Sequence, residues 1–163
     1  MLRSWIDAVR RNHGLEHGTV AVLFERYGPR RVAGRASGDG FFIFGPIDTE
    51  LLDACAHEAL QRMQHGQRGL AVSPFCGTNI AVTGLLTAGA ALSAHRRSEE
   101  AGRGDGFMNA ATAAMLAVVA AQPLGRWLQR FVTTRGDVDQ IEIVGTRRLL
   151  PGVRKVFTRS SAA

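Results

Sequence analysis

Residues 2–27 read LRSWIDAVRRNHGLEHGTVAVLFERY, and the fold is worked out from this stretch. Leu2, Trp5, Ile6, Val9, His13, Glu16, His17, Val20, Phe24 and Tyr27 follow the i, i+3, i+4, i+7 spacing of a single helix face. The spacing predicts one long amphipathic helix with Trp5, His13, His17, Val20 and Phe24 turned inward. Arg10, Arg11 and Glu25 fall on the side expected to meet water. Gly14 and Gly18 sit i, i+4 beside the histidines. Each costs a helix about 1 kcal/mol relative to alanine, so a close neighbour is expected there.

Inside that helix, His13-Gly14-Leu15-Glu16-His17 spells H-x-x-E-H. Histidines four apart rise from the same face one turn above each other. Both imidazoles then reach one tetrahedral zinc, with the Glu16 carboxylate near enough to take a proton from water at the metal. A buried carboxylate between two histidines needs partners. A metal ion supplies them, and so does an internal His–Glu hydrogen-bond network.

Working outward, Gly28-Pro29 ends the helix. Arg31 to Ala36 and Phe41 to Gly45 read as two strands joined through Ser37-Gly38-Asp39-Gly40. The run Phe41-Phe42-Ile43-Phe44 predicts a strand covered on both faces. A second helix is expected from Asp48, its N-cap, to about His65, with Leu52, Cys55, Ala56, Ala59 and Met63 as its apolar face and Gly66 as its stop. Leu70 to Ser73 reads as a third strand, ended by Pro74.

The composition then changes. No charged residue occurs from Gly69 to Ala94 or from Phe107 to Gly125. Helices over Asn79–Ala94 and Asn109–Leu124, extended to roughly 17–19 residues, would reach about 26–29 Å, enough for a hydrocarbon core. The polar stretch His95 to Gly106, which includes Arg96, Arg97 and Arg103, is the expected hairpin loop. Gly84 with Ala88, and Ala110, Ala113, Ala117 and Ala121, would let the two backbones approach. Trp127 with Arg126 and Arg130 reads as an interfacial anchor. Gln140 to Val144 alternates as a strand returning to the sheet, Val153 to Thr158 is a candidate for another, and the last few residues are expected to fray. The fold class read from the chain is therefore α+β: a small sheet with two covering helices, plus a two-helix transmembrane hairpin inserted before the last strand. The divisions are 1–75 for the α+β domain, 76–130 for the hairpin and 131–163 for the strand region returning to the sheet.

The net charge is +6, but Lys155 is the single lysine and the arginines are scattered from Arg3 to Arg159. No linear basic stripe with interleaved aromatics occurs, so no nucleic-acid partner is expected. Cys55 and Cys76 do not make a disulfide framework, and Cys55 reads as a small core residue. Residues 1–12 carry charges throughout and lack a signal-peptide core. The expected location is the bacterial inner membrane, multi-pass, with the termini cytoplasmic and the lipid bilayer as the first partner.

Two histidines need a third protein ligand. Cys76, in the turn Pro74-Phe75-Cys76-Gly77-Thr78-Asn79, is the preferred candidate, with Thr78 or Asn79 capping the next helix; Glu58 is the alternative. His57 and His95 are less favourably placed.

The segment His13 to Gly18 resembles the H-x-x-E-H segment of the pitrilysin-type inverzincin metallopeptidases. That resemblance implies His13 and His17 on zinc and Glu16 as general base, and it covers this helix alone. More of the chain resembles an uncharacterised family of small bacterial membrane proteins, a domain of unknown function. Arg11 to His17, the Gly40–Gly45 strand, Pro74 to Asn79, Ala121 to Gly125 and Trp127-Leu128-Gln129 carry the likeness. The functional expectation is a membrane-anchored zinc hydrolase of peptide or amide bonds, with His13, His17 and Cys76 on the metal and Glu16 as base. The alternative is a non-catalytic membrane protein whose α+β domain binds a partner and whose His/Glu cluster is structural.

Overall fold

The structure is a computed structural model that describes residues 2–102 and 104–160. Met1, Arg103 of the expected loop, and the terminal residues 161–163, expected to fray, lie outside the described residues. The chain divides into two units, Met1–Ser73 with Thr133–Ala163, and Pro74–Val132.

The first unit is α+β. Helix α1 (Leu2–Tyr27) is followed by strands β1 (Ala33–Ser37) and β2 (Gly40–Phe44), helix α2 (Thr49–Gln64), and, after the second unit, strands β3 (Ile141–Leu150) and β4 (Val153–Ser160). The four strands form one antiparallel sheet in the order β1-β2-β4-β3. Two strands follow the inserted unit, the candidate Val153 to Thr158 lying within the second, and β4 takes a central place beside β2. Strand alternation sends Phe41, Ile43 and Val156 to the inner face, where they meet Leu15, Val22 and Leu23 of α1 and Leu52, Ala56 and Met63 of α2. The expected apolar face of α2 is the observed one, and Gly66 ends that turn at φ +99°, its N–H donating to the Met63 carbonyl.

Several expectations are corrected. The run Phe41–Phe44 is covered on one face alone: Phe42 and Phe44 lie on the sheet's outer side, with Phe44 exposed. Helix α1 is buried on every side from Gly14 to Thr19, because the sheet, α2 and two loop segments all close on its middle. Its first turns carry no such cover. Trp5 is therefore 58% exposed and not turned inward, while Val20 and Phe24 are half-buried. Arg10 and Arg11 are half-buried in ion pairs with Asp7 and Asp137, and Glu25 is exposed as expected. Leu70 to Ser73 is no strand: a 3-10 turn, Arg68–Ala71, is closed by Leu70 N–H to Gln67 O and Val72 N–H to Gly69 O, and this segment has no ladder partner.

The second unit is a pair of helices, α3 (Gly77–Glu100) and α4 (Gly106–Leu128), with a π turn, Gln129–Thr133, continuing the latter. Asn79 meets Gly125 at one end, and His95 and Ser98 meet Gly106 at the other, so the helices run antiparallel. Helix α3 continues through His95–Glu100, which shortens the expected loop to Ala101–Asp105. The close approach uses Gly106 and Gly125; Gly84 faces open space. One stretch among the described residues, Gly106–Thr133, is long and apolar enough to cross a membrane. The first expected span does not match it in apolar character, because α3 carries Thr78, Asn79, Thr83, Thr87 and Ser93 among its aliphatic residues.

Candidate metal centre

The middle turns of α1 carry four polar side chains into the first unit. Asn12, 2% exposed, donates from Nδ2 to the Ser37 carbonyl at 2.8 Å and accepts the Thr158 hydroxyl on Oδ1 at 2.7 Å. It thus ties α1 to β1 and β4 at once. The expected stripe does not include it, although Asn12 and Thr19 lie at i−4 and i+3 from Glu16, a member of that stripe.

His13 and His17 both use Nδ1 on a backbone carbonyl. His13 meets Thr133 O at 2.9 Å and His17 meets Ala71 O at 2.7 Å. A carbonyl oxygen only accepts, so each Nδ1 carries the proton, and Nε2 is the lone-pair nitrogen of the neutral ring. This is the orientation in which histidines ligate metals, the distal N–H fixed by a main-chain oxygen. The rings lie edge-on, 4.4 Å between centroids at 63°. Gly14 is what admits the two carbonyl-bearing segments. A β-carbon there would strike the Arg135 backbone oxygen and press on Ala71 Cβ at 3.2 Å. Gly18 does the same for α2, with Met63 Sδ at 3.0 Å and Ala59 Cβ at 3.4 Å. The expected close neighbours are therefore α2 and the segments around 71 and 135.

The segment after Thr133 is held by charge. The Arg135 N–H donates to Arg10 O at 3.0 Å, and its guanidinium binds Asp137 at 2.6 Å and Asp7 at 3.0 Å. Burial pushes the Asp137 carboxyl up. The hydrogen bond and charge of Arg135, with the charge of Arg11, outweigh it and hold the group below its ordinary value. No local sequence signal foretold this clasp.

Glu16 is 6% exposed, and its carboxylate lies over Gly34 of β1, in the space a β-carbon would take. It is thus turned toward the sheet. Glu58 sits between Arg26 at 2.6 Å and Arg62 at 3.6 Å, engaged in ion pairs on α2. His57 is exposed beside Asp53, and His95 lies on α3, not in a loop, 3.4 Å from Glu99. Cys76 belongs to the second unit, where it is buried and itself forms the N-cap of α3 (φ −65°, ψ 139°). Its carbonyl accepts the N–H groups of Asn79 at 2.9 Å and Ile80 at 3.2 Å. The cap is therefore not Thr78 or Asn79; the Asn79 side chain instead donates back to Pro74 O at 3.0 Å. Neither cysteine is in a disulfide, and burial pushes the Cys55 thiol up.

The family model of a domain of unknown function, DUF6391, matches residues 8–146, and the chain belongs to that family. The chain is 38% identical over 141 residues to an uncharacterized protein of Picosynechococcus sp. (strain ATCC 27264 / PCC 7002 / PR-6). The match takes in 77% of this chain and 65% of that protein's length. No solved structure matches the chain.

Proposed function

We propose that this family member is a membrane-anchored zinc hydrolase of peptide or amide bonds, with His13, His17 and Cys76 as metal ligands and Glu16 as general base. One observation carries the reading: two imidazoles one helical turn apart, each with Nδ1 on a backbone carbonyl, the ring orientation common to metal-ligating histidines. Cys76 is the third donor because it follows Ala71, the residue whose carbonyl holds His17, by five positions. That length of chain spans at most about 17 Å, which bounds the separation of the two residues. A nitrogen–nitrogen–sulfur set suits zinc, and three protein ligands leave the fourth position that hydrolytic sites keep open.

Zinc held by His13, His17 and Cys76 would polarise a substrate carbonyl as a Lewis acid and lower the pKa of water. The remaining work falls to the chain. Thr133 O and Ala71 O fix the imidazole tautomers, and Glu16 accepts a proton during attack on the substrate carbonyl. A second reading is favoured by Glu16 itself. Its seat against Gly34 suits a carboxylate that locks α1 to β1, and in that case the metal is structural and the α+β domain serves a partner.

Membrane anchoring is supported by the surface of the second unit. Phe107, Met115, Leu116 and Val119 on α4, and Ile80, Leu85 and Leu92 on α3, are exposed, an apolar area that needs lipid cover. We take both helices to enter the inner membrane as a hairpin, with the termini cytoplasmic.

The test compares wild type with Glu16→Gln, in detergent without chelators, for zinc content, thermal midpoint and peptide cleavage. The hydrolase reading expects near-stoichiometric zinc in both and turnover in wild type alone. Equal zinc with no turnover in either, and a lowered midpoint in Glu16→Gln, selects the structural reading. Wild type without zinc refutes both.

A further inference from the structure

The outer face of the sheet carries a second concentration of chemistry. Lys155, Phe157 and Arg159 alternate onto it from β4, and Arg147 joins them from β3 as the ladder partner of Lys155. Next to them β3 is irregular: the register shifts between Ile143 and Gly145, and Gly145 sits at φ +152° with open space on its Cβ side. The bulge opens a hollow of about 310 Å³, lined by Arg147, Arg159, Phe157, Val144, Gly145 and Asp39. Bulges of this kind recur beside binding sites, and the volume lies at the small end of ligand pockets, roughly 300–1,000 Å³.

The charges in the hollow are unequal in freedom. Asp39 is already neutralised. Its Oδ2 takes the Lys155 ammonium at 2.6 Å and its Oδ1 the Ser37 hydroxyl at 2.7 Å. Arg147 and Arg159, by contrast, have no ion-pair partner among the described residues, although Glu142 stands directly across the ladder from Arg159. Two guanidinium groups without a carboxylate partner on one concave face, that of Arg147 lying over the Phe157 ring at 5.9 Å, match an anion attached to a planar ring.

We propose that this hollow binds a mononucleotide, its phosphate between Arg147 and Arg159 and its base against Phe157 and Val144. A single nucleotide fits better than a strand. A strand needs successive ring platforms, and among the described residues lining the hollow Phe157, whose ring also lies 4.8 Å from the Lys155 ammonium, is the one aromatic. The arginines looked scattered in the linear sequence; sheet pairing gathers two of them here.

Calorimetric titration of the detergent-purified full chain with AMP, GMP, CMP, UMP and inorganic phosphate is the test. At least one nucleotide should saturate, binding about tenfold or more tightly than phosphate, and an Arg147→Gln/Arg159→Gln double variant should lose about tenfold or more in affinity. Val144→Glu, a change at an exposed position that places a like charge in the hollow, should lose binding too and guards against misfolding of the double variant. No saturation with any nucleotide, unchanged affinity in a folded variant, or phosphate binding as tightly as every nucleotide overturns the proposal.

Discussion

The carboxylate of Glu16 occupies the space over Gly34 that a β-carbon would fill. Helix α1 and strand β1 therefore meet through an acid on one and a missing side chain on the other. Gly34→Ala should push the carboxylate out of its seat and cost about 1–3 kcal/mol in urea unfolding. In an Glu16→Ala background the same change should cost far less, because the colliding group is gone. Additive costs would show that the two residues are not coupled.

Metal content should track the histidines. His13→Ala and His17→Ala are each expected to purify with little zinc, whereas Glu58→Gln, whose partners are Arg26 and Arg62, should retain it. Atomic absorption on protein purified without chelators decides the matter. Zinc lost from the Glu58 variant and kept in the His17 variant would move the site elsewhere.

Asn12→Ala should rank among the more damaging single changes in the first unit. It removes a donor to Ser37 O and an acceptor for the Thr158 hydroxyl, both in a buried setting. The expected loss is about 2–3 kcal/mol, read as a shift in denaturant midpoint with an unchanged slope.

Stability should fall on acidification. The Asp137 carboxyl, against the push of burial, and the Asp39 carboxyl, hydrogen-bonded by Lys155 and then Ser37, are both held below the ordinary aspartate value. A depressed folded-state value means stabilisation present above the unfolded value, near 4, and lost as the pH drops through the folded one. Both groups are partly exposed, so the effect is modest. Thermal midpoints between about pH 5 and pH 2 should decline in wild type and decline less in Asp137→Asn.

Carbonate extraction checks the membrane assignment. The exposed apolar side chains of α4 should keep the chain in the pellet, and release without detergent would mark α3 and α4 as helices covered by something other than lipid.

Local patterning made some of this legible in advance. The 3.6-residue period of α2 picked out Leu52, Cys55, Ala56, Ala59 and Met63, which are buried, because one helix face packing on one sheet leaves the period intact. The turn residues Ser37 to Gly40 announced a hairpin whose strands do pair. In α1 the same reasoning misplaced Trp5, since a helix enclosed at its middle and bare at its first turns breaks the rule that a stripe is buried along its length. Leu70 to Ser73 looked like a strand by its apolar run, but a strand needs a ladder partner, and none is there.

Sequence alone determined the presence of H-x-x-E-H on a helix, the change of composition near residue 74 and the α+β class, because these depend on residues a few positions apart. The tertiary structure alone decided what the motif faces. The carbonyls that orient the imidazoles come from residues 54 and 120 positions away, and Glu16 is seated by a glycine on β1. Such partners are chosen by how long segments pack around Gly14 and Gly18, and no local spacing encodes that choice.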